Sequence, residues 1–377
     1  MSVKPNANVH AYVGSYSPNG QGLYSFSQDP IDGALWPLGL HAGPPNPSWL
    51  CPAADGTRLY VANEFDGAAG GCGQLTAYAR EGKSGALTLK QSVSSGGAAP
   101  AHLSLSCDQR FVFAANYGGG SVAVLPVAAD GSLNEPLTVS RHAELFGAAS
   151  SASQPAALAA PGSFAISGHD GGPHAHMAQL DPSGRFLLVS DLGLDLMISW
   201  RFDAASGQLT APQSWRASSG AGPRHFAFHP QCAELCYVLN EEASTLACLH
   251  FDAQTGRLST LAEVSSLPEG FKGSSFASDL RFSADGRFLY CLNRLHDSIA
   301  IFALAPDGSL ALRGHEWTRG SYPRSFAFDP SGRFLYVCNQ RSDHLAVFAV
   351  QSGDGGLAFT GQYVAVGSPA AICFVAV

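Results

Sequence analysis

The chain has 377 residues, 46% apolar and only 13% charged, with a formal net charge of −8. That composition supplies a large core and excludes a disordered tail. Its acidic balance excludes the basic face that non-specific nucleic-acid binding needs.

In chain order, Met1 to Asn8 lacks the apolar core of a secretory leader, and no later apolar run reaches the roughly 18–20 residues of a membrane span. A cytoplasmic protein with no membrane or nucleic-acid partner is expected, as a monomer or weak homodimer. His10-Ala-Tyr-Val-Gly-Ser15 alternates like a strand. From Pro47 a unit then repeats, beginning again at Pro100, Ala175, Pro223, Ala277 and Pro323. It runs from an alternating apolar strand through a short Gly turn to a second strand ending in Asn63, Asn116, Asp191, Asn240, Asn293 or Asn339. The clearest copy is Pro323-Arg-Ser-Phe-Ala-Phe-Asp-Pro-Ser-Gly-Arg-Phe-Leu-Tyr-Val-Cys-Asn339. Each copy continues into another alternating strand (Ser298-Ile-Ala-Ile-Phe), a turn such as Pro306-Asp-Gly-Ser, and a fourth strand. Period-2 alternation with Asp-Gly and Ser-Gly turns marks antiparallel hairpins. Four such strands per ~50 residues make a propeller blade.

Residues 140–172, rich in Ala, Ser, Gly and Pro, break the spacing and read as a surface insertion. The last stretch, Pro369-Ala-Ala-Ile-Cys-Phe-Val-Ala-Val377, is an inner strand with no blade after it. It completes the blade that His10–Ser15 begins. The expected fold is therefore an all-β, seven-bladed β-propeller, one domain over 1–377, whose N-terminal strands join the C-terminal strand in one blade and leave no open edge. The nine cysteines show no metal-ligand spacing and several sit in apolar strands (Cys291, Cys338), so they read as reduced core thiols. The Arg of Gly-Arg-Phe reads as a solvated turn residue, and the strand-end Asn as turn chemistry.

Two columns of residues line the expected axis. The position after the Pro holds Ser48, Ala101, His176, Arg224, Ser278, Arg324 and Ala370. The position after the Asn holds Tyr16, Glu64, Tyr117, Leu192, Glu241, Arg294 and Gln340. His176, Arg224 and Arg324 break a small-residue pattern in an acidic chain, and Arg presents a planar fork to carboxylate or phosphate. A basic pocket for a small anionic substrate is expected. His225 reads as structural. No Gly-x-Ser-x-Gly elbow and no dinucleotide fingerprint is present.

The chain resembles the seven-bladed lactonase family that includes propeller-type 6-phosphogluconolactonases and carboxymuconate-lactonising enzymes. The resemblance rests on Asn46-Pro-Ser-Trp-Leu, Pro100-Ala-His-Leu, Ala115-Asn-Tyr-Gly-Gly-Gly, Pro173-His-Ala-His-Met, Gly222-Pro-Arg-His-Phe, Val238-Leu-Asn-Glu241, Asn293-Arg-Leu-His-Asp-Ser298 and Pro323-Arg-Ser-Phe. It covers nearly the whole length except the 140–172 insertion. It implies a cytoplasmic sugar-acid lactonase acting most readily on 6-phosphoglucono-δ-lactone, with His176, Arg224, Glu241 and Arg294 as the catalytic set and His176 favoured as the base. Arg324, His174, His102, Glu64 and Asn293 are the expected substrate contacts. The scheme needs no cofactor and no metal. Two other readings remain: a lactone-forming cycloisomerase of a carboxymuconate-type acid in the same pocket, and a non-catalytic interaction scaffold.

Overall fold

The structure is a computed structural model in which residues 9–66, 71–147 and 171–377 are described. These residues form seven four-stranded antiparallel sheets arranged as a ring. The innermost strands are Pro369–Ala376, Pro47–Pro52, Pro100–Leu105, Ala175–Leu180, Pro223–His229, Phe276–Phe282 and Pro323–Phe328, in blades one to seven. Each lies beside the next, and the seventh lies beside the first. Blade one is composite: Pro369–Ala376 pairs with Val9–Ser15, from Val9 opposite Ala376 to Gly14 opposite Ala371. The ring is closed by two segments from opposite ends of the chain, as the sequence predicts.

Burial follows position in the blade. The second strands are buried along most of their length, and Phe334–Asn339 at every residue, because a neighbouring blade covers each face. The fourth strands, such as Arg257–Ser265, are mostly exposed. The apolar clusters lie between blades rather than within them. Phe113 of blade three meets Phe202 of blade four edge-on, ring centroids 5.0 Å apart, beside buried Trp200.

Two repeated hydrogen bonds lock neighbouring blades. A Tyr in the middle of the second strand is buried, and its hydroxyl donates to the carbonyl of a turn glycine in the following blade. Tyr60 reaches Gly131 at 3.0 Å, Tyr237 reaches Gly308 at 2.6 Å, and Tyr290 reaches Gly355 at 2.8 Å. The acceptor must be glycine on two counts. Gly308 has a φ of +82°, and a Cβ there would stand 2.5 Å from Leu235 and 3.0 Å from the Tyr237 oxygen. The Arg of Gly-Arg-Phe differs from expectation. Exposed Arg185 and Arg287 donate Nη2 to the carbonyls of Ala253 and Ser352 in the next blade, each at 2.5 Å, and Arg333 reaches Pro30 in the same way. The turn residue is a staple between blades. Replacing Tyr290 by Phe strands one buried carbonyl and is expected to lower stability by about 1–2 kcal/mol. A denaturation midpoint identical to the parent's would contradict that account.

The expected insertion starts later than its composition suggested. Thr138–Arg141 is the fourth strand of blade three, paired from Val124 opposite Thr138 to Ser121 opposite Arg141. A short helix, His142–Phe146, follows. His142 is fully buried there, its Nδ1 2.5 Å from Asp191 Oδ2, which ties the segment to blade four. The blade needs a fourth strand, and the pairing pattern takes Ser140 and Arg141 to supply it. Residues 148–170 of the expected insertion lie outside the described residues.

Candidate active site

Every innermost strand breaks its register near its start. The residues skipped by the ladder are Ser48, Ala101, His176, Arg224, Arg324 and Ala370, and in blade six the pair Ser278 and Asp279. A bulge of this kind re-aims a side chain out of the ladder, and it is how one sequence column comes to face the axis. The second column follows directly, because each second strand ends opposite the start of an inner strand: Asn240 pairs with Pro223, and Glu241 is the next residue.

The two columns meet around Glu241. Its Oε1 lies 2.6 Å from Arg294 Nη2, and its Oε2 lies 2.8 Å from Arg224 Nε. The second contact is an ion pair rather than a hydrogen bond, since Nε has no partner along its N–H direction. Arg224 is almost fully buried, and its Nη1 donates to the Ser278 carbonyl. Arg294 is held by the carbonyls of Phe276 and Ala277, each at 3.3 Å, and donates from Nη1 to the Tyr322 hydroxyl at 3.2 Å. A parallel unit adjoins it: Arg324 Nη2 lies 3.0 Å from Glu64 Oε2, the Tyr16 hydroxyl donates to the same oxygen, and the Arg324 guanidinium lies 4.9 Å from the centre of the Tyr16 ring. The Arg324 charge acts on His176, Arg224 and Glu241 alike, so the two units share one field.

Protonation states follow from these contacts. Burial pushes the Glu241 carboxyl up, but Arg294 and Arg224 more than offset it and hold it below its ordinary value, so it is ionised. Burial, then the Arg294 charge, brings Arg224 down to about 10, still protonated at neutral pH. Burial lifts the Tyr16 phenol far above its usual range. Burial, then the Arg224 charge, holds His176 well below 6.5. The imidazole therefore stands neutral beside the cations, and its buried Nδ1 has no hydrogen-bond partner. The site is three guanidiniums set against two carboxylates, with one neutral base. Among the described residues, Nη2 of Arg224 and Nη1 of Arg324 have no hydrogen-bond partner and are free to donate.

His174 sits beside this cluster rather than in it. Its ring stacks on Tyr117 at 4.5 Å and its Nδ1 lies 3.0 Å from the Tyr117 carbonyl. Two expected substrate contacts lie apart from this cluster. Asn293 is fully buried and its amide is spoken for: Nδ2 donates to the Ser266 carbonyl at 2.8 Å and Oδ1 accepts from the Ser266 hydroxyl at 2.6 Å. The strand-end Asn clamps its own blade, as Asn339 does by bonding the Thr318 carbonyl at 2.8 Å. His102 lies further along the channel, its ring 4.5 Å from Trp49 and 5.9 Å from His225. There it borders a cavity of about 470 Å³ walled by later residues of the inner strands, among them Met177, Asp279, Arg281 and Phe282. That cavity is chemically quiet. Arg281 lies 3.5 Å from Asp279, which also accepts from His225 at 2.9 Å, and burial brings His225 down to about 4. The two regions adjoin, the His176 and His225 ring centroids lying 5.1 Å apart, and the arginine cluster is the one that gathers three guanidiniums.

Sequence reasoning missed Tyr322 and the His225–Asp279 couple. A signal for the first exists: the residue before the strand-opening Pro is Asn46, Ala99, Gly222 and Ser368 in other blades, and tyrosine only in blade seven. Among the described residues, no group of three or more His, Cys, Asp or Glu is arranged to hold a metal ion.

A ring of seven four-stranded blades with a bulge-presented charged cluster at its axis defines the architecture, and the family follows from comparison. The model of the family described as "Lactonase, 7-bladed beta-propeller" matches residues 10–374, and the chain belongs to that family. Among its relatives, a Bacillus subtilis protein described as 6-phosphogluconolactonase is 33% identical over 317 residues, 84% of this chain and 83% of its own. A Pectobacterium carotovorum protein of the same description is 32% identical over 230 residues, 60% of each chain. Of solved structures, the Pseudomonas aeruginosa periplasmic gluconolactonase PpgL superposes with a TM-score of 0.86 at 34% identity, covering 98% of this chain and 99% of that one.

Proposed function

We propose that this chain hydrolyses a sugar-acid lactone, 6-phosphoglucono-δ-lactone to 6-phosphogluconate, at the arginine cluster. The observation that carries the reading is Glu241 bridging Arg224 and Arg294 beside a neutral, buried His176. Water adds to the lactone carbonyl carbon as His176 takes one of its protons, and the carbonyl oxygen becomes an oxyanion. Arg224 Nη2 is the free donor that receives it, in a site where a fixed guanidinium stabilises developing charge more than water does. The intermediate then collapses. The bond from carbon to the ring oxygen breaks, the ring oxygen takes the proton back from His176, and the acid formed releases one proton to solvent.

Glu241 is not the base in this scheme. Both its oxygens are held by guanidiniums and its proton affinity is lowered, so it orients Arg224 and Arg294. The relatives named above are described as lactonases, which favours ring opening over ring closure. The buried Cys236, Cys248, Cys291 and Cys338 are reduced thiols in the blade cores, which supports a reducing compartment, the cytoplasm, for this chain.

The test is acid release at constant pH from fresh 6-phosphoglucono-δ-lactone and from glucono-δ-lactone. A rate above the spontaneous one supports the reading, and a rate equal to it for both lactones refutes it. The pH profile carries a second prediction. The active form of His176 is the neutral one, and its proton affinity is lowered, so kcat/KM is expected to stay level from neutral pH to well below 6.5. Half-loss of activity at 6.5 or above would remove His176 as the base.

A further inference from the structure

Resting on that reading, the geometry points to Arg341 as the residue that grips the distal phosphate of the lactone, at the mouth of the site. Arg341 is exposed, and among the described residues it has no carboxylate partner. In this it differs from Arg224, Arg294 and Arg324, each paired with Glu241 or Glu64. A phosphate dianion needs a cation that is not already neutralised, and guanidinium offers paired donors to phosphate oxygens.

Its position is built. The Arg341 guanidinium carbon lies 3.8 Å from the centre of the Tyr322 ring, and that of Arg294 lies 5.0 Å from the same centre. One phenol thus carries a paired arginine of the reacting centre and an unpaired one facing solvent. The backbone holds this arrangement. Arg341 N–H donates to the Ser321 carbonyl and Gln340 N–H to the Tyr322 carbonyl, each at 3.1 Å. Tyr322 N–H donates to Asp297 Oδ1 at 2.7 Å.

Tyr322 itself is the second observation. The position before the strand-opening Pro takes a left-handed backbone in blade after blade: φ is 53° at Asn46, 46° at Ala99, 68° at Gly222 and 42° at Ser368. Those blades fill it with small residues. Tyr322, at 60°, places a bulky ring where L-residues with large side chains are disfavoured. Strain of this kind persists where surrounding contacts over-determine it, and it clusters at ligand clamps. Here it sets the ring that joins Arg294 to Arg341.

The experiment compares kcat/KM for 6-phosphoglucono-δ-lactone with that for glucono-δ-lactone in the parent protein, Arg341→Ala and Arg341→Lys. Loss of a charge-assisted contact predicts that Arg341→Ala lowers the ratio of the two about 10–100-fold, with a partial loss in Arg341→Lys. Product inhibition by 6-phosphogluconate should weaken in parallel, while inhibition by gluconate holds. A ratio unchanged in Arg341→Ala overturns the proposal and leaves the lactonase reading intact, as does a parent protein that opens only the phosphate-free lactone. A parent inactive on both lactones sinks the two together.

Discussion

Arg294→Lys is expected to lower kcat/KM for the lactone by about 10²–10³-fold, the cost expected when the oxyanion donor Arg224 loses its fixed position. Arg294 spans Glu241, the Tyr322 hydroxyl and two backbone carbonyls with one planar group. A lysine keeps the charge beside Glu241 but has no fork with which to hold the other partners. Glu241 would lose its fixed orientation, and Arg224 would lose its own with it. Charge retention keeps the loss of stability small, so the melting temperature should move by only a few degrees. The choice of variant matters. Arg224→Ala is the poorer probe, because Arg224 is 2% exposed. Truncating it leaves a buried carboxylate short of a partner, a change that costs on the order of 3–5 kcal/mol. Activity within threefold of the parent in Arg294→Lys would remove that residue from the mechanism.

Ending the chain before Pro369 is expected to abolish cooperative folding rather than fray one blade. The lost strand pairs along its length with Val9–Ser15 and lies between the inner strands of blades seven and two. Ala370, Ala371, Ile372 and Val375 are buried there. Without them the ring has two open edges, and the apolar faces of blades one, two and seven lose a wall. The truncated chain should show no sharp thermal transition, and a peptide of residues 369–377 added in excess should restore one in part. A sharp transition near the parent's temperature would show that the composite blade is dispensable.

The architecture was legible because it repeats. Gly-Arg-Phe-Leu-Tyr followed by Asn in blades six and seven, with looser copies ending in Asn or Asp in blades two to five, fixes the middle of those blades, and the half-blades at the two ends announce their union. The axial columns were legible for the same reason: equivalent positions in equivalent blades face one place. Partners were harder to see, because they are set by which side chain of one blade reaches the next. Nothing local to Asn293 shows that Ser266 occupies its amide, and nothing in Gly-Arg-Phe shows that the arginine reaches a carbonyl one blade away. By spacing, His176 is one of three basic residues of the axial column, with Arg224 and Arg324. Its burial among three arginines makes it neutral, a consequence of burial and charge that spacing does not carry. His102 shares its motif position with residues lining the channel, yet the bulge places it one layer deeper than Ala101.

The claim on which the account depends is that the reaction takes place at the Arg224–Glu241–Arg294 end of the channel. A crystal structure with 6-phosphogluconate bound tests it most directly. The account predicts the product carboxylate within hydrogen-bond distance of Arg224 and beside His176, and the phosphate against Arg341. Product seated instead in the cavity between Trp49, His102 and Arg281, with the arginine cluster empty and unmoved, would contradict it.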